Sequence, residues 1–213
     1  MKDFPMFTTE YGVASLILKE VPYRQEAYII IQATEDPEAL IAECVSFCRV
    51  VGAEKIYAKG HEFLEKYPLH TIIYKMQGEA LVDADSLDHL FPATEQTVEK
   101  WRQICNEAMR SIDCAATQTK ADEKFLLESC NPYFVHRDGE LLGIGLMQDT
   151  ELMQISAVKP GMGQRVLNTL LSTVEGAQVT LEVASTNTRA IRFYEKNGFL
   201  KTGEKSRCYR VFP

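Results

Sequence analysis

The segment Leu152-Met-Gln-Ile-Ser-Ala-Val158 alternates apolar and polar residues as a strand does, then passes through Lys159-Pro-Gly-Met-Gly163 into a run of different period. Val166, Leu167, Leu170, Leu171 and Val174 recur at the three- and four-residue spacing of one buried helix face. No linker separates the two runs, so the chain must turn sharply from strand to helix, which the glycines permit. A strand, a tight turn and a helix N-terminus in that order aim unpaired backbone N–H groups at one point, an arrangement that favours an anion. Lys159 and Arg165 could add charge there. The same pattern also reads as a tight turn with a glycine-assisted packing contact. Two phosphate-binding patterns are absent: there is no G-x-x-x-x-G-K-[ST], and the third glycine of a dinucleotide fingerprint would fall on Val166.

Around this element the patterning alternates between strand and helix periods. Upstream, Tyr133-Phe-Val-His136, Leu141-Leu-Gly-Ile-Gly-Leu146 and the run from Leu152 predict three antiparallel strands joined by polar turns. Two helices precede them, one from a Thr94 cap with Val98, Trp101, Ile104, Ala108 and Ile112 inward, the other over 120–128. Downstream the order is helix (163–174), strand (178–184), helix (187–196), strand. The N-terminal part predicts strands at 12–19 and 27–32, a helix opened by Asp36-Pro37, a strand at 55–58, a helix at 61–66 and a strand at 69–75. The polar stretch 77–88 is the best boundary, although Ala80-Leu-Val could begin a strand. These readings give an α/β (α+β) chain of two parts, an N-terminal α/β unit at 1–76 and a larger domain at 77–213.

Composition narrows the function. A chain of 213 residues, 46% hydrophobic and 25% charged, can bury a core and has room for one domain and an extension. A net charge of -7 argues against a nucleic-acid partner, which would need clustered Lys and Arg, and mildly favours a cationic acceptor. The opening Met1 to Glu10 lacks the apolar stretch of a leader, and no run reaches the roughly 18 apolar residues of a membrane span, so a cytoplasmic protein without membrane attachment is expected. The six cysteines contain no C-x-x-C and read as small buried hydrophobes. Cys44 and Cys48 stand four apart on the helix after Asp36, a spacing that could share a metal, but Ile41 and Val45 complete with them an apolar stripe, and no metal site is expected.

About twenty-five residues beyond the glycine turn, the strand Val179-Thr-Leu-Glu-Val-Ala184 leads into Asn187-Thr-Arg-Ala-Ile-Arg-Phe-Tyr-Glu-Lys-Asn-Gly-Phe199. This segment has every fixed position of N-x-x-A-x-x-x-Y-x-x-x-G-F, and together with the glycine turn it resembles the two signatures of the GNAT N-acetyltransferases. The resemblance covers roughly the last 130 residues. It implies a mixed, mostly antiparallel twisted sheet flanked by helices, and an acetyl-CoA-dependent transfer of an acetyl group directly to a small-molecule or peptide amine. It further implies that Ala157 and Val158 run along the pantetheine arm with their backbone, and that Gly161, Met162, Gly163, Gln164, Arg165 and Val166 surround the pyrophosphate. Asn187 and Ala190 would lie beside the pantetheine, and Tyr194 would give a proton to the departing thiolate. One position departs from the pattern: Val158 stands where the family usually has Gln or Arg, and Lys159 is the residue placed to substitute. The base is open. Glu151 flanks the strand leading to the turn and is the first candidate, with His136 and Glu182 behind it and Gln154 the polar residue nearer the strand's centre. A homodimer is compatible with the sequence, as is a module of this fold that binds acyl-CoA without turnover.

Residues 52–66 faintly echo 176–196, which suggests that 1–76 imitates the C-terminal half of the same fold. In that alignment Leu64 replaces the acid tyrosine and Asp36 opens the helix where a glycine cradle should stand, so this part is expected to be structural or to wall the acceptor groove.

Overall fold

The computed structural model describes residues 5–212. Residues 1–4, which belong to the segment read for a leader, lie outside the described residues. Contacts divide the chain into two compact units. The first takes the chain up to Ile73 together with 184–186 and the residues from Glu204 onward, and the second takes Tyr74–Val183 and Asn187–Gly203.

The first unit contains β1 (Met6–Thr9), β2 (Gly12–Ile17), α1 (Val21–Arg24), β3 (Glu26–Thr34), α2 (Pro37–Val50) and β4 (Lys55–Lys59). A 3-10 helix at Glu62–Lys66 leads into β5 (Leu69–Glu79), whose far end belongs to the second unit. β1, β2 and β3 pair antiparallel, and β3 and β4 pair parallel from Glu26↔Lys55 to Ile30↔Lys59. The crossover between these parallel strands is α2, whose buried Leu40, Ile41, Cys44 and Cys48 pack with Ala27, Ile29, Ile56 and Leu64. Both cysteines are therefore core residues, with thiols pushed up to about 12 at Cys44 and about 11 at Cys48 by burial. Asp36 caps α2 by accepting the Ala39 N–H at 3.0 Å, with Pro37 at the first helical position.

The second unit contains β6 (His89–Pro92), α3 (Val98–Met109), α4 (Glu123–Ser129), β7 (Asn131–Arg137), β8 (Glu140–Gln148), β9 (Glu151–Ala157), α5 (Gly163–Leu171), β10 (Gln178–Ala184), α6 (Thr188–Lys196) and the start of β11 (Leu200–Phe212). β6 to β9 form an antiparallel meander, and β10 lies parallel to β9 across α5. α5 and α6 cover one sheet face through Val166, Leu167, Leu170, Val179, Leu181 and Phe199, and α3 and α4 cover the other through Trp101, Cys105, Leu126 and Ile144. The fold is thus the expected mixed, mostly antiparallel sheet with helices on both faces.

Several elements differ from the sequence reading. The first strand wholly within the larger unit lies at His89–Pro92, whereas Ala80-Leu-Val forms no strand and the loop after it lies on α5, Asn168 bonding the Asp83 backbone N–H and C=O at 2.8 Å each. α3 begins at Val98 because Thr94 to Thr97 closes on itself, the Thr97 hydroxyl accepting the Thr94 N–H at 2.8 Å. Residues 62–66 coil too tightly for an α-helix. The unit division also departs from a single cut at 76/77: Tyr209 and Arg210 pair with Ala58 and Tyr57, so the last strand completes the first unit's sheet.

The two units share an element order. β3, α2, β4, a short helix and β5 match β9, α5, β10, α6 and β11, and in each case the first helix joins parallel strands. No described helix is long and apolar enough to cross a membrane.

Candidate active site

β9 and β10 begin as neighbours and then part. Their parallel pairing consists of Thr180↔Glu151 and Leu181↔Leu152, although the strands continue to Ala184 and Ala157. The cause lies on the other edge of β9. Leu146 pairs with Gln154 and Met147 with Leu152, so Met153 is an extra residue, a bulge that bends β9. Beyond the bulge the β8 edge of β9 stays paired through Ala157↔Gly143, while the edge toward β10 has no ladder partner among the described residues. Backbone groups so exposed suit an extended chain that supplies the missing hydrogen bonds.

This opening leads directly into the glycine turn. Val158 N–H still reaches the Leu142 carbonyl at 2.8 Å, Met162 N–H closes on the Lys159 carbonyl at 3.3 Å, and Gly161 takes a φ of 83°, a left-handed conformation that suits glycine. A Cβ at Gly161 would meet nothing within 4 Å, so the turn has open space on that side. α5 starts without a side-chain cap at Met162, and its first main-chain bond runs from Val166 N–H to the Met162 carbonyl at 3.0 Å. The N–H groups of Gly163, Gln164 and Arg165 therefore face out of the helix end, where the dipole favours an anion.

The polar side chains of the turn are tied elsewhere. Arg165 makes a two-pronged contact with the buried Asp88, 2.9 Å from each oxygen, and Arg137 approaches the same carboxylate at 3.9 Å. Lys159 pairs with Glu140 and holds that carboxyl below the usual range through their hydrogen bond. Gln164 donates to Asn197. What this turn offers an anion is thus its backbone N–H groups, and its charged side chains fix the turn in place.

Two glycines that the sequence reading used only as strand residues position α5. A Cβ at Gly145 would lie 2.3 Å from Leu170 Cδ1, and one at Gly143 would lie 2.7 Å from Val166 Cγ2. The helix can press onto β8 only because both side chains are absent; two glycines inside a strand are the signal of such close approach.

The second motif meets the first. Asn187 caps α6 by accepting the Ala190 N–H at 3.1 Å, which leaves its Nδ2 as the remaining donor. A Cβ at Gly163 would lie 3.5 Å from Cε2 of Phe193, and the Gln164–Asn197 bond joins the two helices. Tyr194 is 8% exposed, lies 5.5 Å and 5.8 Å from the rings of Phe193 and Phe199, and burial pushes its phenol up to about 12.

No protein-family model matches the chain, and no curated protein matches it in sequence. Solved structures do match. A functionally unknown conserved protein from Staphylococcus epidermidis is similar over 100% of this chain and 96% of its own, with a TM-score of 0.60 and 11% identity. A GCN5-related N-acetyltransferase from Anabaena variabilis is similar over 87% of this chain and 55% of its own, with a TM-score of 0.61 and 11% identity, so this chain spans about half of it. A tandem GNAT protein from the clavulanic acid biosynthesis pathway is similar over 95% of this chain and 80% of its own, with a TM-score of 0.53 and 10% identity. The chain has the GNAT fold.

Within this GNAT fold the candidate bases are scattered. Glu151 stands at the paired end of β9 against Gln148 and Thr180, outside the opening and three residues, about 10 Å of strand, from Gln154. It is not brought to the opening. Glu182 is exposed on β10. His136 packs 4.9 Å from Phe91 on the α3 face, with its buried Nδ1 unpartnered. Gln154, on the bulged part of β9, accepts the Cys105 thiol at 2.8 Å. Beside it a groove of about 590 Å³ is lined by one stripe of α3 and by Ser156, Ala157 and Val158. Among the described residues no His, Cys, Asp and Glu side chains gather in a group of three or more suited to a metal.

Proposed function

We propose that the chain is an acetyl-CoA-dependent N-acetyltransferase that passes the acetyl group directly to an amine. The observation that supports this most is the opening between β9 and β10, which runs without interruption into the uncapped N-terminus of α5. An extended arm carrying amides and ending in a pyrophosphate needs a strand edge and then a cluster of N–H groups, and these two occur here in that order. The free edge of Gln154 to Ala157 would hold the arm, the N–H groups of Gly163, Gln164 and Arg165 would hold the pyrophosphate, and Asn187 Nδ2 would donate to the arm. When bound, the thioester supplies an acyl group already activated toward nitrogen.

The chain's own contributions are positioning and proton handling. At a pKa of about 12 Tyr194 stays protonated at neutral pH. Full transfer of its proton to a thiolate of pKa near 8.5 is uphill by on the order of 5 kcal/mol, so a hydrogen bond to the departing sulfur is its stronger contribution. With Glu151 held on the paired rung outside the opening, the ammonium of the acceptor gives up its proton to water.

Thermal unfolding with and without acetyl-CoA tests the reading. A ligand at 100 times its dissociation constant adds about 2.7 kcal/mol to stability, and coenzyme A release is then measured on a panel of amines. An unchanged midpoint at millimolar acetyl-CoA would overturn it. A second reading, an acyl-CoA-binding module without turnover, is favoured by the place of Glu151 outside the opening and by the depth of Tyr194. It predicts stabilisation by acetyl-CoA with no release on any amine.

A further inference from the structure

The groove beside β9 sorts charge along its length. Trp101 on α3 donates to the Tyr133 carbonyl on β7 at 3.1 Å, and Cys105, one turn later, donates to Gln154 on β9 at 2.8 Å. The helix therefore crosses the sheet from β7 toward the opening. Its later residues Glu107 and Ala108 lie at the end nearer that opening, and Lys100 lies at the far end, seven residues and about 10 Å of helix away. Between the two charges the stripe carries Ile104 beside Gln103, Ala108 follows Glu107, and Ala157 and Val158 also line the groove. Arg110 touches Glu107 at 4.0 Å, but both side chains are about four-fifths exposed, and such a pair is weak enough for the carboxylate to accept a second partner.

Resting on the acetyltransferase reading, we infer that the acceptor is a zwitterionic aliphatic amine. Its ammonium lies by Glu107 at the opening, its methylenes run over Ile104, and its carboxylate or phosphate reaches Lys100. A simple alkylamine would use only half of this groove, and a diamine would set its second ammonium against Lys100. Whole-chain acidity favours cations in general, so the selectivity comes from the local order of charges.

The test uses three probes with the same six-carbon chain and at least one terminal amine: ε-aminohexanoate, hexylamine and the terminal hexanediamine. Their affinities for the full chain are measured by calorimetry in the presence of coenzyme A, so a chain without turnover still reports. ε-Aminohexanoate should bind about fivefold or more tighter than either rival. Lys100→Glu should move the preference to the diamine, and Glu107→Gln should weaken all three. Equal binding of the three probes, binding of none, or a preference unmoved by Lys100→Glu would each overturn the inference. Coenzyme A release with the same probes reports separately on turnover, so failure of the transferase reading is seen independently.

Discussion

Leu152 and Leu181 form the last paired rung between β9 and β10, and one residue later Met153 bulges out of register. Every functional proposal depends on that rung, because the strand edge beyond it is free.

The turn that follows should tolerate little. Gly161→Val places a branched residue at a φ of 83° and should cost about 1–2 kcal/mol in urea unfolding. Its effect on acetyl-CoA affinity, read by titration, should be larger, at least tenfold, since the side chain would fill the open space beside the N–H cluster.

Asp88 is buried and holds Arg165 at the first turn of α5. Asp88→Asn leaves that guanidinium without its counter-charge, and denaturant unfolding should show a loss of stability. Acetyl-CoA affinity should fall with it, because α5 loses one of the ties that aim its N-terminus.

Alkaline pH should weaken the fold in two stages. The thiols of Cys44 and Cys105, at about 12, and Cys48, at about 11, have an ordinary value of 9. They favour the native state fully below pH 9 and lose that effect as pH rises through 11 to 12. Tyr194 follows from an ordinary value of 10, its contribution disappearing between pH 10 and 12 and amounting to on the order of 2–3 kcal/mol. Unfolding midpoints should fall from pH 9 upward, and Tyr194→Phe should flatten only the upper part of the curve.

The same burial orders thiol reactivity. Cys114 is partly exposed, whereas the other five are buried. Alkylation of the native protein at pH 8, followed by mass spectrometry, should label Cys114 first and Cys44, Cys48 and Cys105 only after unfolding.

If no side chain takes the amine's proton, turnover should rise about tenfold per pH unit from 7 toward the acceptor's own pKa near 10. A plateau near pH 7 would instead reveal a side chain acting as general base.

What was legible in the sequence was local. β10 spans 178–184 as the alternation predicted, Asn187 caps α6, and the change of period at Gly163 marks the start of α5. The bulge at Met153 and the parting of β9 from β10 are properties of pairing between distant segments, and nothing near Met153 announces them. Gly143 and Gly145 were visible as glycines, but their use needed Val166 and Leu170 to be placed above them. β6 was missed because four residues ending in Pro92 carry too little alternation, and the 3-10 turn at 62–66 because its short apolar pattern fits either helix.

The pairing of Tyr209 with Ala58 has a consequence for how this protein is made. The strand that completes the first unit's sheet leaves the ribosome some 150 residues after its neighbour. Until that strand emerges, β4 keeps a bare edge, so the N-terminal unit cannot finish folding in the order of translation. A chain arrested or clipped before residue 204 should expose that edge to other nascent chains, a cost of non-local topology that a contiguous N-terminal domain would avoid.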